Sequence, residues 1–119
     1  MITEDEPSYH ARALYRRLSR RTHRILYVGL DHALLRSLEK RLEDCWIVRA
    51  PAGCVARHFI ERLKHSLLVF DEVLMDTTAR ELARFTREVA HREQTPVIIV
   101  KKSGGVRLLA QIISNRLAE

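Results

Sequence analysis

The chain is expected to fold as an α/β three-layer sandwich, a mostly parallel four-stranded sheet with helices on both faces, preceded by an N-terminal helix. Two observations carry this. Four short runs, Ile25–Val28, Trp46–Val48, Leu67–Phe70 and Val97–Val100, are apolar at nearly every position, as strands buried on both faces must be. The segments between and after them carry apolar residues at helical spacing instead, so the order is βαβαβαβα, and right-handed crossovers distribute the helices over both faces.

Each element has its own local signal. After the first strand, Leu34, Leu35, Leu38 and Leu42 form one stripe, with Asp31 placed as the N-cap. Val55, Ala56, Phe59, Ile60 and Leu63 form the second. Leu82, Phe85 and Val89 form the third, opened by the capping box Thr78-x-x-Glu81. Beyond Gly104-Gly105, Leu109, Ile112, Ile113 and Leu117 form the fourth. Phe59, Phe70, Phe85 and Met75 are read as core, and Trp46 as partly buried. Gly104-Gly105 lacks the spacing of a phosphate loop and reads as a turn.

Ahead of the sheet domain, Pro7 suits a first helical position, and Glu4, Asp5 and Glu6 favour a helix N-terminus. Ala11, Leu14, Tyr15 and Leu18 then make an apolar stripe opposed by arginines. Domains are therefore expected at 1–23, a basic amphipathic helical extension, and 24–119, the sheet domain.

At 119 residues, 46% apolar and 30% charged, the chain suits one globular domain. No apolar stretch is long enough to span a membrane and no signal peptide is evident, so a cytoplasmic protein is expected. The net charge of +6 is local. Arg12, Arg16, Arg17, Arg20, Arg21 and Arg24 lie in a stretch without a single acid, making the extension a candidate interaction surface for protein, anionic lipid or nucleic acid. Cys45 and Cys54 form no CxxC pair and are expected to be reduced. Cys54 stands where a helix dipole could lower its thiol pKa. The histidines show no zinc-ligand spacing. No nucleophile–base pair or cofactor loop can be assigned, so no enzyme is expected.

Asp71 is the candidate functional residue. It ends the apolar run Leu67-Leu68-Val69-Phe70, and ligands collect at the carboxyl ends of parallel strands. From about Arg24 to Ser103 the chain resembles the receiver domain of two-component response regulators. The likeness rests on RILYV followed by DHALLRSLEKRL, on LLVFDEVLMDTTARELARFTRE and on TPVIIV. It implies a flavodoxin-like fold, a role in phosphorelay signalling through protein partners, and Asp71 as the phosphoacceptor. Leu74 and Met75 fall where the family often has Met-Pro, and Ala79 where it has glycine.

The departures are chemical. The acidic pair that holds Mg²⁺ in the family is replaced by Gly29 and Leu30. Asp31 follows late and already has a capping role, so Mg²⁺, which needs well-placed carboxylates, has a weak site and no cofactor is expected. Lys101 stands in place of the switch hydroxyl, and the fifth strand with its lysine has no counterpart. The Lys101 ammonium could neutralise Asp71 across the sheet edge, giving a locked pseudo-receiver, or could simply solvate a loop.

The resemblance thus points to a stand-alone atypical receiver-like domain acting by contact, with phosphorylation at Asp71 weak or absent. The alternative is a nucleic-acid-associated regulator using the arginine-rich extension. Loss of the fifth strand leaves Val97–Val100 as an apolar edge, open to dimerisation, to a swapped element or to cover from the extension in cis or from a partner subunit, and a homodimer is expected.

Overall fold

In the computed structural model, residues 23–101 and 105–118 are described. The extension and its arginines Arg12, Arg16, Arg17, Arg20 and Arg21 lie outside them, as does Gly104. The elements alternate without exception: β1 His23–Val28, α1 His32–Arg41, β2 Cys45–Ala50, α2 Gly53–Arg62, β3 Leu67–Asp71, α3 Ala79–Glu88, β4 Val97–Val100 and α4 Val106–Ala118. All strand pairings in the sheet are parallel, in the order β2-β1-β3-β4. This is the three-layer sandwich expected. β1 begins at His23, two residues before the expected run Ile25–Val28, and β2 extends beyond Trp46–Val48 at both ends.

Strand alternation sorts the core into two layers. Ile25, Tyr27, Leu67 and Val69 face α1 and α4, meeting Leu34, Leu38, Leu109 and Ile113. Leu26, Val28, Leu68 and Phe70 face α2 and α3, meeting Ala56, Ile60, Ala79 and Leu82. β1 and β3, at the sheet centre, are buried on both faces, which is why their sequences are unbroken apolar runs. The edge strands are only half-buried over most of their length.

Helix starts follow local chemistry. Asp31 Oδ1 accepts from the Leu34 amide at 3.0 Å, capping α1. Thr78 Oγ1 accepts from the Glu81 amide at 3.2 Å and donates to the Glu81 carboxylate, so the capping box closes through side chains. Thr86, buried within α3, satisfies its hydroxyl on the Leu82 carbonyl. Arg92 donates from Nε to the Ile60 carbonyl at 3.0 Å, tying the loop before β4 to the end of α2.

One core assignment is corrected: Met75 is 72% exposed, because it lies in the loop after β3 rather than in a helix. Trp46, expected to be partly buried, stands on the outer strand of the sheet and is 46% exposed.

His65 is buried just before β3, and its Nε2 has no partner. Burial first, then the charges of Arg24 and Arg92, push its pKa down from 6.5 to about 4. The neutral ring is therefore the folded form. Its contribution is complete above pH 6.5 and is lost as pH falls toward 4. Allowing for partial solvation, urea denaturation should show a loss on the order of 2 kcal/mol across that window, absent in His65→Gln.

Candidate functional site

Asp71 ends β3 at the carboxyl edge of the sheet, half-buried, and its position follows from the register. β1 and β3 align with Tyr27 beside Val69 and Val28 beside Phe70, so both strands end together and their loops leave side by side. Tyr27 has no exposed surface. Its ring lies in the layer beneath α1, and its hydroxyl reaches up to the carboxylate, 3.0 Å from Asp71 Oδ1 and 2.9 Å from Oδ2. The same hydroxyl accepts from the Asp31 amide at 3.2 Å. Tyr27 thus joins the end of β3 to the start of α1.

Gly29 makes this arrangement possible. A Cβ at that position would run into Asp71 Oδ2 and stand 2.6 Å from the Tyr27 hydroxyl, so a side chain there would have to displace one or both. The carboxylate and the phenol fill the volume an acidic side chain at position 29 would need. Burial raises the Asp71 pKa, the Tyr27 hydrogen bond opposes this, the Asp31 charge adds to the rise and the Leu30 amide lowers it. Burial, with the neighbouring Asp71, also raises Tyr27, so the phenol keeps its proton and donates it.

These residues do not fit Mg²⁺. Gly29 and Leu30 supply no side-chain oxygen, Asp31 is committed to its cap, and both Asp71 oxygens take the Tyr27 hydroxyl. Among the described residues no cluster of three His, Cys, Asp or Glu could hold a metal ion.

Of the residues singled out from the sequence, Asp71, Asp31 and Lys101 do come together. All three line one cavity of about 550 Å³ between α1, β3, β4 and α4, walled by Ala33, Leu34, Val73, Val100 and Val106. Lys101 is exposed at its rim, however, and the partner that Asp71 has is Tyr27, a residue read from the sequence only as part of a buried strand. Its signal was a single hydroxyl in an otherwise aliphatic strand, two residues before Gly29 and therefore on the same face.

Asp76 was also missed. The N-cap position of α2 is Ala52, which has no capping side chain, and Asp76 from the loop after β3 replaces it, accepting from the Gly53 and Cys54 amides at 2.8 and 2.9 Å. These bonds hold the Asp76 carboxyl below its usual range. The helix terminus beside Cys54 is therefore already occupied by a carboxylate, and the thiol is exposed next to it. The loop that follows Asp71 is pinned at two points: by Asp76, and by the Val73–Thr78 bridge, in which the Leu74 amide donates to the Thr77 carbonyl and the Ala79 amide to the Glu72 carbonyl. Asp76→Ala should lower the midpoint of chemical denaturation, the effect of losing a cap, and should loosen this loop.

Outward from Asp71, Leu30, Val73 and Met75 are 51%, 75% and 72% exposed. The loops that leave β1 and β3 beside the tied-down carboxylate thus carry exposed apolar side chains.

No family model matches the chain, and no curated protein matches it in sequence. Solved structures match its fold. The receiver domain of a sensor histidine kinase from Pseudomonas aeruginosa, described with a magnesium ion coordinated in its active-site cleft, superposes with a TM-score of 0.69 at 14% identity, covering 82% of this chain and 98% of that one. A chemotaxis response regulator of Vibrio cholerae gives 0.70 at 13% identity, covering 79% and 98%. A putative response regulator of Chloroflexus aurantiacus gives 0.71 at 19% identity, covering 82% and 98%. The fold is the receiver fold. Among the described residues, no helix is long and apolar enough to cross a membrane.

Proposed function

We propose that this chain is an atypical receiver-like domain in phosphorelay signal transduction, a pseudo-receiver that works through protein–protein contacts rather than as an enzyme. In this reading Asp71 stands at the phosphoacceptor position, and Mg²⁺-dependent phosphorylation there is weak or absent. The observation that carries it is the Tyr27 hydroxyl on both Asp71 oxygens, in the space left by Gly29. Phosphoryl transfer needs cationic groups where charge builds up, and here the partner of the carboxylate is a neutral phenol, with Asp31 nearby and Lys101 only at the cavity rim. The exposed rim of Leu30, Val73 and Met75 suits a contact surface at the same place. A cytoplasmic setting and a homodimer belong to the same reading.

The test is exposure to acetyl phosphate with Mg²⁺, followed by intact mass, beside an ordinary receiver treated identically. The expected result is a full phosphoryl adduct on the control and little or none on this chain. A comparable adduct that disappears in Asp71→Asn would overturn the proposal.

A further inference from the structure

We infer that the outer edge of β4 receives an extended segment of a partner protein as an added strand, and that this segment alternates apolar and acidic residues. The inference rests on the reading above of a domain that works by protein contact, and it names the contact.

β4 is an outer strand, bonded only to β3 among the described residues. The Leu68 amide donates to the Pro96 carbonyl and the Glu72 amide to the Val100 carbonyl. In a parallel pair one residue's N–H and C=O point the same way. Ile98 and Val100 therefore turn theirs toward β3. Val97 and Ile99 turn theirs outward, where an added strand finds donors and acceptors in line.

The two faces of this edge differ in chemistry. On one face, Ile98 and Val100 pack in the layer of α1 and α4. Arg107, Gln111 and Ser114 of α4 line a groove with Arg41 of α1, which identifies the flank of α4 facing α1. Leu108 and Ile112, 62% and 39% exposed, lie on the opposite flank, above the open side of β4.

On the other face, Val97 packs in the layer of α2 and α3. Arg57 of α2 sits over the Phe85 ring, 5.1 Å from its centre, which marks the flank of α3 that faces α2. Arg80, Arg84 and Arg87, all exposed, recur at i, i+4 and i+7 on the far flank. They form a basic row beside β4, on the face to which the half-open Ile99 belongs. Lys101, exposed at the end of the strand, adds to the same sign.

These charges select the occupant. A second copy paired antiparallel about a two-fold axis would set the two arginine rows against each other, like charge to like. Residues 1–22 carry five arginines against three acids, so the extension has the same sign as the row. A strand with carboxylates on the α3 face and apolar side chains on the α4 face meets both surfaces. The carboxylates reach the arginines, and the apolar set covers Leu108 and Ile112. Period-two alternation is how one strand presents two chemistries to two faces. The outward backbone groups and the apolar flank suit a peptide rather than a nucleic acid.

The probe is a fluorescently labelled peptide of alternating valine and glutamate, titrated with the full chain and followed by anisotropy. Saturable binding is expected below about 1 mM. It should be about tenfold weaker for the same peptide with lysine in place of glutamate, or with its valines grouped together. Arg80→Glu with Arg84→Glu, two exposed substitutions, should weaken it about tenfold without changing the melting transition. Backbone pairing is read by N-methylating alternate residues of the peptide. Binding should be lost for one set only, the glutamates in an antiparallel pair and the valines in a parallel one.

No saturable binding, equal binding of the lysine or grouped peptide, binding unmoved by Arg80→Glu with Arg84→Glu, or indifference to both N-methylated sets overturns the inference. Binding that appears only after removal of residues 1–22, or that competes with self-association, also overturns it, since the chain then covers its own edge. An oligonucleotide that binds more tightly than the peptide, and is released by the same two substitutions, assigns the arginine row to nucleic acid and overturns it too. These outcomes decide the surface alone; the atypical-receiver reading stands or falls on the acetyl phosphate measurement.

Discussion

Gly29→Asp should destabilise the domain by about 3 kcal/mol or more in urea denaturation, although it installs the residue type that ordinary receivers carry there. The new Cβ would run into Asp71 Oδ2 and stand 2.6 Å from the Tyr27 hydroxyl. Position 29 is buried between strand ends, so the backbone has little room to yield. Overpacking alone costs about 1–3 kcal/mol, and a second carboxylate beside a half-buried Asp71 adds repulsion. Tyr27→Val in the same chain should recover much of the loss, because it vacates the volume the phenol fills. If Gly29→Asp is tolerated alone, Tyr27 and Asp71 are not packed as described.

Tyr27→Ala should cost about 3–5 kcal/mol, the range for deleting a large buried side chain from a core. The ring is fully buried against α1 and α4. Tyr27→Phe separates the hydroxyl from the ring. It should cost about 1–2 kcal/mol, since it leaves the Asp71 carboxylate without its side-chain donor and the Asp31 amide without its acceptor. It should also raise the Asp71 pKa further, because burial and the Asp31 charge would then act with less opposition. Carboxyl carbon shifts followed against pH would show this, and a titration of Asp71 unchanged in Tyr27→Phe would contradict it.

Much of the fold was legible because its central strands are buried on both faces and its helices repeat at 3.6 residues. Both patterns arise from burial, which sequence displays directly. Met75 was misread because apolar character alone does not separate a loop from the core. Asp71 and the Asp31 cap were legible from their places relative to β3 and α1. Tyr27 was not, because its role depends on a contact 44 residues away and on the missing side chain of Gly29. Asp76 was hidden for a similar reason: it caps a helix 23 residues before it in the chain. Lys101 was placed correctly at the sheet edge, but sequence position could not tell a rim residue from a partner of the carboxylate.

The account turns on whether a phenol has taken the metal's place at Asp71. Beryllofluoride binding with Mg²⁺, followed by fluorine NMR, tests this most directly, on the wild-type chain and on a Tyr27→Val, Gly29→Asp, Leu30→Asp variant. The account predicts no bound signal for the wild type and a Mg²⁺-dependent signal for the variant, lost when Asp71→Asn is added. A Mg²⁺-dependent bound signal in the wild type, matching that of an ordinary receiver, would contradict it.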